Sequence, residues 1–263
     1  MQTAKLGPVT VSRFLLGGNP FSGFAHQGPE RNREFTRYYT TARIKEALGK
    51  AEGAGITGFI GRIDRHIMRL LMEYWDEGGK LLWIAQTASD SGDTEACVNL
   101  AHANGALGCY VHGGVMDHLV WTGKTDEVRR GVDLMKKKGL AAGVAGHTTR
   151  VFEWAEKNLD TDFYMCCHYN PSPREDAPEY QPGRSESYRE EDRQAMTKLI
   201  ATLGKPVIHY KILAAGRNNP EEAFAFAGKV MRPQDLVCVG VYLKEDPDMI
   251  ARDAELFAKH VHP

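Results

Sequence analysis

The chain has 263 residues, of which 33 are Lys or Arg and 34 are Asp or Glu, so its formal net charge is 33 − 34 = −1. This balance disfavours nucleic acid as a partner, because neutralising phosphates requires a basic surplus on some face. No apolar run reaches the roughly 18 residues of a membrane span, and the first residues lack the apolar stretch of a signal peptide. We therefore expect a cytoplasmic protein without membrane contact. Five cysteines, an odd number, argue against a disulfide framework.

Eight short apolar runs are typical of buried parallel strands, because each is rich in β-branched, aromatic or small apolar residues. They cover residues 14–16, 56–60, 81–85, 107–111, 140–144, 163–167, 207–213 and 236–241. Between and after them lie eight amphipathic segments that predict helices. These cover residues 41–54, 64–75, 94–104, 124–138, 149–158, 190–203, 220–230 and 246–260.

Strict alternation of strand and helix favours right-handed βαβ units and a parallel sheet. Eight such units in 263 residues predict an α/β protein with the (β/α)₈ TIM-barrel fold, in a single domain over residues 1–263. The alternative is a doubly wound open sheet, but Gly17-Gly18-Asn19-Pro20 after the first strand lacks that fold's phosphate-binding fingerprint. Two long connections, 19–40 and 169–189, leave carboxyl ends of strands, and the second is either a lid or a solvated insertion.

Four consecutive predicted strands carry a histidine at or near their carboxyl ends. These are His112, His147, His168 and His209. We expect them to meet at the barrel mouth, where imidazoles serve as general acids and bases, as metal ligands or as hydrogen-bond partners of a polar substrate. As metal ligands, some of these four histidines would hold a single divalent ion (Zn, Mn, Fe or Ni).

Cationic side chains are predicted at the same mouth. Lys211 follows His209 by two residues, so both face the same way if the strand is regular. Lys211 then either holds an anion or, if desolvated, forms a Schiff base with a carbonyl. Arg62 and Arg65 follow the second strand, where guanidinium groups either bind carboxylate or phosphate or form salt bridges on a helix surface.

Several segments resemble the aldo-keto reductases over nearly the whole chain. They are Lys5-Leu6-Gly7 with Val11-Ser12-Arg13 and Leu16-Gly17-Gly18, Gly143-Val144-Ala145-Gly146, Tyr169-Asn170-Pro171, residues 207–216, and Val239-Gly240-Val241. The resemblance implies a barrel preceded by an N-terminal β-hairpin. It also implies ancestry in carbonyl chemistry.

The chain departs from that family at the catalytic positions. The positions of the family's catalytic Asp, Tyr and Lys fall near Ile60 or Gly61, near Arg65, and at Gln86 or Thr87. Of the catalytic tetrad only the His is matched, at His112. Tyr210 matches the aromatic residue that stacks on the nicotinamide, but other cofactor contacts are replaced, which argues against NADPH as a cofactor.

These observations lead to the hypothesis of an enzyme that acts on a small polar carbonyl compound, such as a sugar or keto-sugar, without redox chemistry. A lyase, hydratase, isomerase or epimerase would fit. We assign catalysis to His112, His209 and Lys211, and substrate binding to Asn19, Arg62, Arg65, Trp121 and Tyr210. The alternatives are an NADPH-dependent aldo-keto reductase with a rearranged tetrad and a non-catalytic sugar-binding barrel. The sequence leaves the oligomeric state open.

Overall fold

The computed structural model describes residues 1–172 and 186–262, apart from the side chain of Ser89. The chain begins with an antiparallel hairpin of β1 (Thr3–Leu6) and β2 (Val9–Ser12). Apolar side chains of this hairpin, including Leu6 and Val11, cluster with the side chains that fill the barrel interior. The hairpin predicted from the resemblance is therefore confirmed, and it packs against the bottom of the barrel.

Eight parallel strands close into the predicted barrel, so the fold class is confirmed. In chain order they are β3 (Phe14–Gly17), β4 (Gly58–Arg62), β5 (Leu82–Gln86), β6 (Gly108–Val111), β7 (Ala141–Gly146), β8 (Phe163–Cys167), β9 (Val207–Tyr210) and β10 (Leu236–Gly240). Each strand pairs with its sequence neighbour, and β10 closes the ring by pairing with β3. All eight carboxyl ends therefore meet at one mouth.

Ten α-helices are found in the described part of the chain. They are α1 (Pro29–Tyr38), α2 (Thr41–Gly53), α3 (Arg65–Asp76), α4 (Thr94–Ala103), α5 (Gly113–Thr122), α6 (Asp126–Lys137), α7 (Thr149–Asn158), α8 (Glu190–Ile200), α9 (Pro220–Val230) and α10 (Met249–His260). None of the described helices is long and apolar enough to cross a membrane.

Two helices depart from the sequence-based expectation. Helix α1 lies within the long connection 19–40, where no helix was predicted, and a proline at its first turn provides a favourable start. Helix α5 starts directly after β6 with two glycines and is weakly amphipathic, so its apolar pattern does not predict it. Residues 173–185 of the predicted lid 169–189 lie outside the described residues.

Side chains alternate between the barrel interior and the layer between the barrel and its helices. On β9, Ile208 and Tyr210 belong to the interior cluster, whereas Val207 belongs to the outer one. Because side chains alternate along a strand, His209 must point outward. This alternation decides which of the predicted residues can reach the mouth.

The exposed glycine in the middle of α2 provides a test of the fold description. Gly49 has no atom within 4 Å of the position that a Cβ would take. Glycine costs a helix interior roughly 0.5–1 kcal/mol relative to alanine, so we expect Gly49→Ala to raise the free energy of unfolding by about that amount. Urea denaturation of wild type and variant would measure it, and a destabilised variant would contradict the placement of Gly49.

Candidate active site at the barrel mouth

A cavity of about 570 Å³ opens at the carboxyl ends of the strands. Its volume falls in the range of small-molecule sites, which span roughly 300–1,000 Å³. It extends from the barrel centre into a groove between the loops that follow β9 and β10. Six of the predicted site residues line it, namely Asn19, Arg62, His112, His147, Tyr210 and Lys211.

Four other predicted site residues do not line the cavity. Arg65 is the first residue of α3 and is exposed. Trp121 lies on α5 with 54% of its surface exposed, and its ring contacts the Arg150 guanidinium at 5.3 Å. His168 and His209 are buried outside the barrel. These four positions do not support the roles that the sequence suggested.

Strand β9 shows why the expectation for His209 is wrong. We expected His209 and Lys211 to face the mouth together, with the strand extending to residue 213. The strand ends at Tyr210, and Lys211 takes a left-handed conformation with φ of 57°. Lys211 therefore reaches the cavity from a turn, while Tyr210 takes the interior position on the strand and His209 points away.

His209 instead belongs to a buried polar chain behind the barrel wall. Its Nδ1 lies 2.9 Å from His168 Nε2, and its Nε2 lies 3.4 Å from Asp235 Oδ2. Arg232 donates to both Asp235 oxygens at 2.8 and 2.9 Å. Burial, followed by the charges of His209 and Arg193, lowers the pKa of His168 well below its ordinary value. His168 is therefore neutral near pH 7, and this hydrogen-bonded network has a structural role.

The predicted metal site is also wrong. The four histidines do not converge, because His168 and His209 lie outside the barrel while His112 and His147 lie inside its mouth. In the described part of the chain there is no group of three or more His, Cys, Asp or Glu placed to hold a metal ion.

Tyr210, His147 and Asp117 form a hydrogen-bonded chain at the centre of the mouth. The Tyr210 hydroxyl lies 3.2 Å from His147 Nε2, and His147 Nδ1 lies 2.7 Å from Asp117 Oδ2. His147 and Asp117 are each only 7% exposed. Sequence reasoning missed the partnership of Asp117 with His147 because it did not predict α5. A useful signal is the spacing of Gly113 and Asp117, which places Asp117 one turn into a helix that starts at the mouth.

A second tyrosine lies deeper in the cavity. Tyr110 on β6 is 1% exposed, and its hydroxyl donates to Gln86 Oε1 at 2.8 Å. Gln86 is one of the two positions, with Thr87, where the resemblance places the family's catalytic lysine. An amide side chain does not exchange protons near neutral pH. The Tyr110–Gln86 pair therefore supplies polarity to the cavity floor, with no acid–base function.

Ionisable groups form a cluster at the rim of the cavity. His26 Nδ1 lies 3.0 Å from Glu186 Oε1, and the Tyr188 hydroxyl donates to Glu186 Oε2 at 2.7 Å. Burial and then the charge of Lys211 lower the pKa of His26 to about 4, although Glu186 opposes the shift. Burial raises the pKa of Glu186, but the hydrogen bond from His26 and nearby positive charges outweigh it and hold the value at about 2. The cluster ties the loop after β3 to the segment after residue 185.

The charge of the lining favours an anionic ligand. Among the described lining residues the cations are Arg31, Arg62, Lys211 and Arg252, and the anions are Asp90 and Glu245. Each arginine has a carboxylate neighbour: Arg31 pairs with Glu245, Arg62 with Asp90 and Arg252 with Asp246. Glu245 and Asp90 are more than half exposed, so an incoming phosphate or carboxylate can replace them at small cost.

Comparisons with known proteins show which solved structures this barrel is similar to. No family model matches the chain, and no curated protein matches it. A Pseudomonas aeruginosa protein classed provisionally as an aldo-keto reductase matches with a TM-score of 0.62 and 17% identity, over 98% of this chain and 95% of that one. An aldo-keto reductase from Bacillus halodurans matches with a TM-score of 0.57 and 11% identity, over 100% and 96%. An N-acetylmannosamine-6-phosphate 2-epimerase from Clostridium perfringens matches with a TM-score of 0.54 and 16% identity, over 81% and 86%.

These similarities correct two expectations. The expectation of non-redox chemistry is contradicted by the solved structures that match over nearly the whole chain, since several of them are named as aldo-keto reductases, whereas the epimerase matches over 81% of the chain. The expectation that NADPH is an unlikely cofactor is contradicted by the same matches, which are to proteins named as aldo-keto reductases. Identities of 8–17% establish architecture alone. The chain therefore has the (β/α)₈ barrel fold of the aldo-keto reductases.

Proposed function

We propose that this protein is an oxidoreductase that interconverts a small carbonyl compound and its alcohol with a nicotinamide dinucleotide, as an aldo-keto reductase with a rearranged tetrad. The observation that carries the proposal is the cavity itself. It joins acid–base side chains at the barrel centre to a cation-rich groove in the wall. A redox dinucleotide needs an extended site for two phosphates next to the site of the reacting carbonyl. A compact sugar would need only the centre.

The residues of the groove fit such a dinucleotide. Arg31 and Arg252 line it, and guanidinium groups are well suited to bind phosphate oxygens. Arg31 lies over the ring of Tyr242 at 4.8 Å, which holds its guanidinium against the wall of the groove. When bound, the dinucleotide supplies or accepts the hydride.

At the barrel centre, this chain's own residues bind and orient the carbonyl compound. His112 and Tyr210 line the cavity and can hydrogen-bond the carbonyl oxygen. Arg62 lines another part of the mouth and can hold an anionic group of the substrate. The interior residues Ile60, Met165 and Cys238 close the floor with apolar surface, which limits the access of water to the reacting atoms.

Titration of the purified protein with NADPH and with NADH tests the proposal. We expect saturable binding of at least one dinucleotide, followed by its oxidation when aldehydes or ketones are added. Fluorescence would report the binding and absorbance the turnover. Binding of a carbonyl compound without any turnover would instead support a non-catalytic barrel, and the absence of dinucleotide binding would refute the proposed activity.

Arg31 offers a specific test of the groove. Hydrogen bonds to charged groups contribute about 1.5–3 kcal/mol, so we expect Arg31→Gln to raise the dinucleotide Kd about tenfold or more. The carboxylate partners of Arg31 are exposed, so folding should be unaffected. Arg69→Gln is the matched control, because Arg69 is 72% exposed on α3 and lies outside the cavity lining. An unchanged Kd in Arg31→Gln would remove this groove from the dinucleotide site.

A further inference from the structure

We propose that Tyr210, His147 and Asp117 form the acid–base group of this enzyme, with Tyr210 exchanging a proton with the substrate oxygen. The inference rests on the proposed function. It assigns the proton transfer to residues at the ends of β7 and β9 and on helix α5. The resemblance instead places the catalytic Tyr and Lys near the ends of β4 and β5. His147 acts as the proton relay, and Asp117 is a positioning residue.

The contacts of Asp117 fix the state of the imidazole. One carboxylate oxygen lies 2.7 Å from His147 Nδ1. The other accepts from the His147 backbone N–H at 3.1 Å and from the Thr148 hydroxyl at 3.3 Å. A carboxylate only accepts hydrogen bonds, so Nδ1 must carry a proton. Nε2 is thereby directed to the Tyr210 hydroxyl. When Nε2 is neutral, the hydroxyl can donate to it or to the Gly146 carbonyl oxygen at 3.3 Å, and when Nε2 is protonated, it donates to the hydroxyl oxygen.

The hydrogen-bonded group of Tyr210, His147 and Asp117 is accessible from the cavity. Tyr210 and His147 both line the cavity, and Tyr210 is partly exposed. Gly113, the first residue of α5, also lines the cavity, and its lack of a side chain lets His147 and Tyr210 pack closely against its backbone. A Cβ at residue 113 would lie 3.0 Å from His147 Cε1 and 3.1 Å from the Tyr210 hydroxyl.

Other tyrosines of the cavity lack such a partner. Tyr110 donates to the Gln86 amide, which does not relay protons. The hydroxyl of Tyr242 is buried and has no hydrogen-bond partner in the described part of the chain. Among the described tyrosines that line the cavity, Tyr210 is thus the one whose hydroxyl contacts an imidazole, a side chain that can both accept and donate a proton.

The path of the proton follows from the order of the three hydrogen-bonded residues. During reduction the carbonyl carbon gains a hydride from the dinucleotide and its oxygen takes the Tyr210 proton. Protonated His147 returns a proton from Nε2 to Tyr210, and the imidazole ends neutral, still bonded to Asp117. Oxidation of the alcohol runs the same steps in reverse.

The relay is needed because a lone tyrosinate is unfavourable here. Burial raises the pKa of Tyr210 well above its ordinary value, and the nearby Cys167 and Asp117 raise it further. If the proton of Tyr210 is replaced as it leaves, the tyrosine never carries a full negative charge. His147 and Asp117 thus allow a buried hydroxyl to act as the acid.

Three variants test the assignment: Tyr210→Phe, His147→Gln and Asp117→Asn. General acid–base groups typically contribute about 100–10,000-fold, so we expect kcat to fall at least 100-fold in the first two variants. The dinucleotide Kd, measured by fluorescence, should stay within about threefold of wild type, because the groove is untouched. Tyr164→Phe and His102→Gln are the controls, since both residues lie outside the cavity lining and should leave kcat unchanged.

Asp117→Asn separates positioning from folding. In wild type we expect kcat for reduction to fall as pH rises, because the proposed relay requires a proton on His147 Nε2. Without the carboxylate the imidazolium is less stable, so this falling limb should move to lower pH while KM changes little. A merely structural role would lower thermal stability without moving the pH profile.

The outcomes distinguish the two proposals. A wild-type protein that reduces carbonyls while Tyr210→Phe retains more than a third of its kcat would overturn the acid–base assignment alone. A wild-type protein that neither binds a dinucleotide nor reduces any carbonyl would overturn the proposed function, and this assignment with it. Loss of kcat with intact binding and an unchanged fold, seen by circular dichroism, would support both.

Discussion

We expect Asp235→Asn to lower the free energy of unfolding by about 3–5 kcal/mol, the usual cost of removing one partner of a buried ion pair. Asp235 is fully buried, and it accepts hydrogen bonds from the Arg232 side chain and from the Val207 backbone N–H at 2.9 Å. An asparagine would replace one of these accepting oxygens by an NH₂ group, which would then face hydrogen-bond donors. His209 would also lose its carboxylate partner.

Chemical denaturation at pH 7 measures the effect, with Asp133→Asn as the control. Asp133 is exposed on α6, and we expect its substitution to change stability by less than about 0.5 kcal/mol. A loss below about 1 kcal/mol in Asp235→Asn would contradict the buried chain described here.

The same carboxylate makes the fold sensitive to acid. Burial raises the pKa of Asp235, but the hydrogen bonds from His209 and Arg232 outweigh it and hold the value at about 2, below the ordinary 3.8. A lowered pKa stabilises the fold above the ordinary value, and this stability is lost as pH falls from about 4 to about 2. The shift corresponds to about 2 kcal/mol, which Asp235→Asn should lack over that range.

The second large effect is expected at Gly113. An added methyl group would press on His147 and the Tyr210 hydroxyl at 3.0–3.2 Å, closer than most Cβ contacts. A misplacement of about 1 Å in an active site can cost about 100-fold in rate, so we expect Gly113→Ala to lower kcat by that order. The backbone of Gly113 is not in the left-handed region, so alanine should not strain the chain itself.

Gly49→Ala is the matched control, because it adds the same methyl group in open space on α2. Kinetics of the two variants, together with their melting temperatures, separate an effect on the site from an effect on the fold. Full activity in Gly113→Ala would show that His147 and Tyr210 tolerate displacement, which would count against the acid–base chain.

The barrel could be predicted because its signals are local in the sequence. Runs such as 163–167 are short and wholly apolar, and the helix 149–158 follows with a different period. Such patterns report which face of each element is buried, and eight repeats leave few possible topologies. The same reasoning placed Arg62, His112 and His147 at strand ends, and the structure finds all three at the mouth.

The active-site chemistry depended on details that these patterns do not contain. A strand reverses the direction of its side chains at each residue, so the choice between His209 and Tyr210 required the actual register of β9 and the turn that ends it at Lys211. The pairing of Asp117 with His147 joins residues 30 positions apart through a helix without a clear apolar face. The amino-acid sequence by itself thus determined the barrel and the order of its strands and helices, since burial acts on each element separately. Only the tertiary structure decided which of these side chains meet, because a hydrogen bond depends on distances between elements that no single segment encodes.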